Sequence, residues 1–259
     1  MNALEHSTPF VTILMSALAV IILITIITAK RGRDLFIRRI PGLTAIEEAV
    51  GRATEMGRPI LFSVGLGGLD IVTLQALSIL SHVARLAARY GTRVIVPVVD
   101  PIVYAVVEEV LRDAYIAEGK AEAFRAEDIR YLSDQQFAYA AGVVGMMNRE
   151  RVATNLMFGT FFAESLILAE NGFLVGALQV AGTPSTTQIP FFLATCDYVV
   201  IGDEYYAATA YLSREPTLLG SLFGQDIGKM VLLALIVVGT ALVTLLGPAN
   251  FLVRWLGGQ

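Results

Sequence analysis

Pro59-Ile60-Leu61-Phe62-Ser63-Val64-Gly65-Leu66-Gly67-Gly68-Leu69-Asp70 is the stretch that decides the fold. Pro59 to Val64 is a short apolar run and reads as a buried strand. Gly65-Leu66-Gly67-Gly68 then supplies a turn. From Asp70 to Tyr90, apolar residues recur at Ile71, Leu74, Leu77, Leu80, Val83 and Leu86, which is helical spacing. A strand, a glycine turn and a helix open a β-α-β unit.

The alternation continues on both sides. Upstream, Leu43 to Met56 places Leu43, Ile46, Val50 and Ala53 on one helix face. Downstream, Arg93 to Val99 is a valine-rich strand. Asp100-Pro101 then starts a helix that runs to about Tyr115: Asp can cap free N–H groups, and Pro loses no bond at the first helical position. Glu118 to Asp128 is polar and reads as a loop or short helix, and Ile129 to Leu132 as a small strand. Ser133 with Gln136 suggests a capping box for a helix through Met147. Three more strands follow, Asn155 to Phe158, Leu174 to Ala181 and Tyr198 to Ile201. Each leads into a helix-like segment: Thr160 to Glu170, Thr187 to Ala194, and Glu204 to Leu212. Alternating strands and helices predict an α/β fold, a Rossmann-like, mostly parallel sheet with helices on both faces. Strand order is not readable from the pattern.

The ends differ from this middle. The 259 residues are 55% hydrophobic and 16% charged, and the mean hydropathy is +0.65. The apolar excess collects in two blocks. Phe10 to Thr28 carries no charge and is long enough, at about 28 Å, to cross a hydrocarbon core of about 30 Å. Met230 to Leu246 is the second block; it continues weakly past Gly247-Pro248 to Val253, with Arg254 and Trp255 as an interfacial anchor. A signal peptide fits the first block poorly, because its positive charges come after it. Those charges are Lys30, Arg31, Arg33, Arg38 and Arg39. They predict a cell-membrane protein with two transmembrane helices, both termini outside and the middle cytoplasmic, with Lys229 at the inner face. The resulting division is residues 1–39, 40–226 and 227–259. The same five basic residues suit contact with anionic lipid. Leu156 to Leu168 and Ile189 to Ile201 are apolar but hold Glu164 and Asp197, so they are expected in the core of the middle domain.

Ligands of an open parallel sheet bind beyond the carboxyl ends of its strands. The residues expected there are Gly65, Gly67, Gly68 and Asp70 after the first strand, Asp100 after the second, and Thr160 and Glu164 after the third principal one. Thr183 and Ser185 follow the next, and Asp203 the last. Glycines let a backbone approach a ligand, hydroxyls and helix N-termini bind anions, and carboxylates hold a ribose or a metal. Turn geometry and helix capping call for the same residue types. The loop is not G-x-G-x-x-G, and Asp70 at the third glycine's position would repel a pyrophosphate. No phosphate-loop, G-x-S-x-G or H-E-x-x-H motif occurs, and no motif names a cofactor. His82 lies on a helix far from the strand ends. The one cysteine, Cys196, reads as a core residue. A net charge of −4 with no basic stripe argues against nucleic-acid binding.

Several segments carry a resemblance: Ile40-Pro41-Gly42-Leu43 through Ala49 to Pro59, Gly65-Leu66-Gly67-Gly68, Asp134-Gln135-Gln136-Phe137-Ala138-Tyr139-Ala140, Phe162-Ala163-Glu164-Ser165, and Tyr211-Leu212-Ser213-Arg214-Glu215-Pro216. Together they resemble a family of bacterial and archaeal membrane proteins known only as a domain of unknown function. The resemblance implies a membrane-anchored α/β domain and brings no catalytic residue with it. Two expectations stand side by side. One is a membrane-tethered scaffold or sensor that binds a partner or small ligand, as a single chain or a homo-oligomer. The other is an enzyme acting on a nucleotide or phosphorylated molecule through strand-end carboxylates.

Overall fold

The computed structural model describes residues 9–31, 41–213 and 215–246. The chain forms two compact units, Arg38–Ser213 and the two ends together, Met1–Ile37 with Arg214–Gln259.

In the middle unit, six strands form one sheet: Ile60–Gly65 (β1), Val94–Val98 (β2), Ile129–Tyr131 (β3), Thr154–Thr160 (β4), Leu178–Thr183 (β5) and Tyr198–Ile201 (β6). Their order is β3-β2-β1-β4-β5-β6, and every pairing is parallel. This is the doubly wound order, in which the chain reverses direction across the sheet between β1 and β4. The helices are Pro9–Lys30 (α1), Pro41–Met56 (α2), Ile71–Tyr90 (α3), Pro101–Ala117 (α4), Gln136–Glu150 (α5), Glu164–Leu174 (α6), Ile189–Thr195 (α7), Asp203–Ser213 (α8) and Pro216–Leu246 (α9). One face of the sheet lies under α3, which packs against α2, α4 and α8. On the other face, Tyr139 and Val143 of α5, Leu168 of α6 and Phe192 of α7 pack on Leu61, Ile95, Met157 and Ala181. The central strands β1, β2, β4 and β5 are buried almost throughout, which is why they read as continuous apolar runs.

Local chemistry sets the boundaries. Asp70 Oδ1 accepts from the Thr73 N–H at 2.7 Å and starts α3, and Gly91, at φ +73°, ends it. Asp100 Oδ1 accepts from the N–H groups of Ile102 and Val103 to start α4. Three expectations are corrected. The Ser133–Gln136 capping box does not form: Ser133 Oγ accepts from the Gln135 N–H at 3.1 Å, and the Gln136 amide turns to Glu164. The strand expected from Leu174 starts at Leu178, because α6 continues through Leu174 and Gly176, at φ +73°, turns the chain. The helix expected from Thr160 begins at Glu164, because β4 keeps its ladder as far as Thr160.

Among the described residues, three helices are long and apolar enough to cross a membrane: Val11–Lys30, Ile71–Tyr90 and Pro216–Leu245. Half of the middle one is buried inside the structure, against 6% of each terminal one. The middle helix is α3, whose apolar face is covered by the sheet and its helix neighbours.

In the terminal unit, α1 and α9 pack against each other through glycines. A methyl group on Gly220 would come within 2.6 Å of Ile26 Cα, one on Gly224 within 2.9 Å of Ile22 Cα, and one on Gly228 within 3.1 Å of Leu18 Cδ2. Small residues spaced four apart let two helix backbones approach closely. The α9 helix is unbroken through residue 226, where the sequence placed a domain boundary. The basic residues Arg33, Arg38 and Arg39, and the Gly247–Trp255 segment, lie outside the described residues.

Candidate functional site

The site lies where the strand order reverses. At their carboxyl ends, β1 and β4 approach so closely that neither backbone tolerates a side chain. Gly65 sits at φ +81° with its Cα against the Thr160 carbonyl, and Gly159 at φ +145° against the Val64 carbonyl. The pairing register shifts between Ser63 and Gly65, and the Leu66 N–H closes onto the Thr160 carbonyl at 2.8 Å. The glycine loop is thereby fastened at its base.

Beyond that clasp, the loop lies among three of the expected residues. A methyl group on Gly67 would stand 3.1 Å from Thr73 Oγ1 and 3.4 Å from the Thr160 side chain, and one on Gly68 would stand 3.8 Å from Asp100 Oδ2. Gly65, Gly67, Gly68, Asp100 and Thr160 are therefore neighbours, and Asp70 closes the same loop as the cap of α3. Asp70 and Asp100 each spend one carboxyl oxygen on helix N–H groups. At the N-terminus of α3, Asp70 takes the Thr73 N–H and places a carboxylate there, which disfavours an anion.

Glu164 is fully buried as the first residue of α6. Its Oε1 accepts from the Phe162 N–H at 2.8 Å and its Oε2 from Gln136 Nε2 at 2.6 Å. These bonds tie the turn after β4 to the start of α5. Glu164 is thus a positioning residue for the Thr160 side of the crevice. The remaining expected residues stay apart. Thr183 ends β5, two strands from β1, and its Oγ1 accepts from the Ser185 N–H at 3.3 Å. The Ser185 hydroxyl pairs with that of Thr187 at 2.8 Å. Asp203 opens α8 after β6, three strands from β1.

Nothing in the sequence pointed to the polar groups beneath the crevice. Thr73 Oγ1 is buried with no hydrogen-bond partner among the described residues, and the buried Ser63 Oγ and Tyr139 OH find none except each other. Burial raises the Tyr139 pKa; Ser63 beside it opposes the rise and nearby Glu164 adds to it. Ser63 and Thr73 stand in otherwise ordinary strand and helix patterns, and nothing local marks them. Cys196 is only half-buried by surface, yet burial pushes its thiol up to about 12. His82 is partly buried on α3, away from the loop. Among the described residues no three His, Cys, Asp or Glu side chains gather as a metal-holding group.

A six-stranded parallel α/β domain with its residues gathered at the switch point, joined to two long apolar helices, defines the class of protein. Within it, the chain belongs to the DUF6754 family, described as a domain of unknown function, which it matches over residues 2–252. No curated protein and no solved structure matches the chain.

Proposed function

We propose that the chain is a membrane-tethered sensor or scaffold module whose α/β domain binds a small ligand in the crevice between the ends of β1 and β4. The observation that carries this reading is the convergence of Gly65, Gly67, Gly68, Asp100 and Thr160 at the one place where the strand order reverses. The residues gathered there offer carboxyl and hydroxyl oxygens and no lysine or arginine. They suit a ligand that donates hydrogen bonds, such as ribose hydroxyls or an amine, better than a bare phosphate. In this reading α1 and α9 cross the membrane, the termini are outside and the α/β domain is cytoplasmic. The positive charge of Lys30 and Arg31 at the end of α1 supports that orientation, and with the basic residues after them it suits anionic lipid.

A thermal-shift screen of the detergent-solubilised full chain tests the site with adenosine, a simple polyamine, ATP and ATP with Mg²⁺. Binding raises the melting temperature by mass action. A shift with adenosine or the amine that is lost in Gly67→Asp supports the reading. A shift with Mg²⁺-ATP alone favours an enzyme acting on phosphorylated substrates. No shift with any of them leaves a scaffold without a ligand at this crevice.

A further inference from the structure

Among the described residues, arginines gather at one edge of the sheet and not at the other. Arg58, Arg93 and Arg151 lead into β1, β2 and β4 at the amino edge, and Arg93 is paired there with Asp128 and Glu150. At the carboxyl edge, residues 66–72, 99–102, 132–137, 161–165, 184–190 and 202–204 lead from the strands into the helices that follow. They hold six acidic side chains and no lysine or arginine. Asp70 and Asp100 are two of the six, and neither belongs to an ion pair among the described residues. Each caps a helix with one oxygen. The other oxygen of Asp100, Oδ2, faces the glycine loop, 3.8 Å from where a methyl group on Gly68 would stand.

Thr73 supplies an independent sign. It is fully buried, yet its hydroxyl has no hydrogen-bond partner among the described residues. A threonine on a helix ordinarily returns its hydroxyl to a carbonyl three or four residues back. Here the hydroxyl turns to the glycine loop: a methyl group on Gly67 would stand 3.1 Å from Thr73 Oγ1 and 3.4 Å from Thr160 Oγ1. A buried hydroxyl left unmet destabilises the folded chain, and a ligand that meets it removes the penalty. We propose that the crevice binds a primary ammonium, which donates to Thr73 Oγ1 and Thr160 Oγ1 across the open face of Gly67 and is neutralised by Asp100. An ammonium has three N–H donors and one positive charge, which matches two hydroxyls and a carboxylate oxygen. A neutral nucleoside would leave the carboxylates without a counter-charge. A divalent cation calls for more oxygen ligands than two carboxylates already engaged in capping provide, and no three His, Cys, Asp or Glu side chains gather among the described residues. The proposal rests on the crevice reading of the α/β domain and adds to it the class of ligand.

The test is thermal unfolding of the solubilised full chain with 1,4-diaminobutane, its fully N-methylated bis-quaternary analogue, adenosine and Mg²⁺, all at one ionic strength. The diamine should raise the melting temperature. The quaternary analogue, which keeps the charge without N–H donors, should not. Thr73→Val keeps the shape of the side chain and should melt at or above the parent without ligand, but it should bind the diamine about ten- to a hundredfold more weakly. Asp100→Asn, which can still cap α4, should weaken binding by a similar factor. A diamine shift undiminished in Thr73→Val or in Asp100→Asn overturns the proposed contacts, even if Gly67→Asp abolishes it. A shift with adenosine alone that is lost in Gly67→Asp keeps the crevice and overturns the ammonium as its ligand. A shift with Mg²⁺ alone, or equal shifts from both amines, overturns it as well. A Thr73→Val chain that melts well below the parent without ligand shows that the hydroxyl has a structural partner, and overturns its role. No shift with any probe overturns the crevice reading and the ammonium together.

Discussion

Removing the Glu164 carboxyl should loosen the α/β domain by an amount set by the two donors it leaves behind. Glu164→Ala deprives the Phe162 N–H and Gln136 Nε2 of their acceptor. Each donor is partly buried, so an unmet bond costs about 1–2 kcal/mol, near the lower end of the usual penalty. The sum is about 2–4 kcal/mol. For a domain of this size about 2–4 °C of melting temperature follows each kcal/mol, so the expected loss is about 4–16 °C. Glu164→Gln should do less harm. Its carbonyl still accepts from Phe162, and Gln136 can turn its own oxygen toward the new amide, which leaves a cost of about 1 kcal/mol. The assay is thermal unfolding of the solubilised full chain, followed by far-UV circular dichroism. The reasoning is refuted if both variants melt with the parent, or if the glutamine variant melts below the alanine one.

Three further outcomes follow from single contacts. Gly159→Ala, at φ +145° and against the Val64 carbonyl, should cost more than about 3 kcal/mol, whereas Gly51→Ala, with nothing within 4 Å on α2, should stabilise by about 0.5–1 kcal/mol; paired urea melts check both. Gly224→Leu should drive α9 off α1 and lower the yield of protein recovered from membranes, while Gly239→Leu, which meets nothing within 4 Å, should leave the yield unchanged. His82 bears on pH: burial lowers its pKa from 6.5, with Glu47 opposing and Arg85 and Arg89 assisting. Below about 6.5 the unfolded chain binds the proton that the folded chain resists, so its contribution to stability is present at neutral pH and is lost as pH falls. The melting temperature should decline less between pH 7 and pH 5 in His82→Gln than in the parent; equal slopes would contradict the assignment.

Most of the fold was legible because each buried strand is a short apolar run flanked by turn residues. Tyr198–Ile201 and the Asp100-Pro101 helix start stand where the pattern put them. The errors arose where a side chain had a distant competitor. Gln136 looked like half of a capping box, but its amide is drawn to Glu164, 28 residues along the chain. Local spacing does not encode that choice. Strand order was equally hidden, since only tertiary pairing brings Gly65 beside Thr160. Of the strand-end residues, those around β1 and β4 converge, while Thr183, Ser185 and Asp203 belong to strands too far across the sheet. The spacing of Gly220, Gly224 and Gly228 went unread in the sequence; its meaning depended on knowing that α9 extends unbroken across them.

The pairing of β1 with β4 also bears on the order of assembly during synthesis. Ile60 finds its place against Val94 soon after both leave the ribosome, but its other neighbour, Thr154, is not yet made. At about 5–20 residues per second the stretch from Val94 to Thr154 takes about 3–12 s. Throughout it, β1 presents an unpaired edge of open backbone N–H and C=O groups on a mostly apolar strand, and α1 has already been synthesised. A nascent chain held in that half-sheet state is open to mispairing with its neighbours on a polysome, so slowing translation between codons 99 and 153 should raise the aggregated fraction more than an equal pause after codon 201.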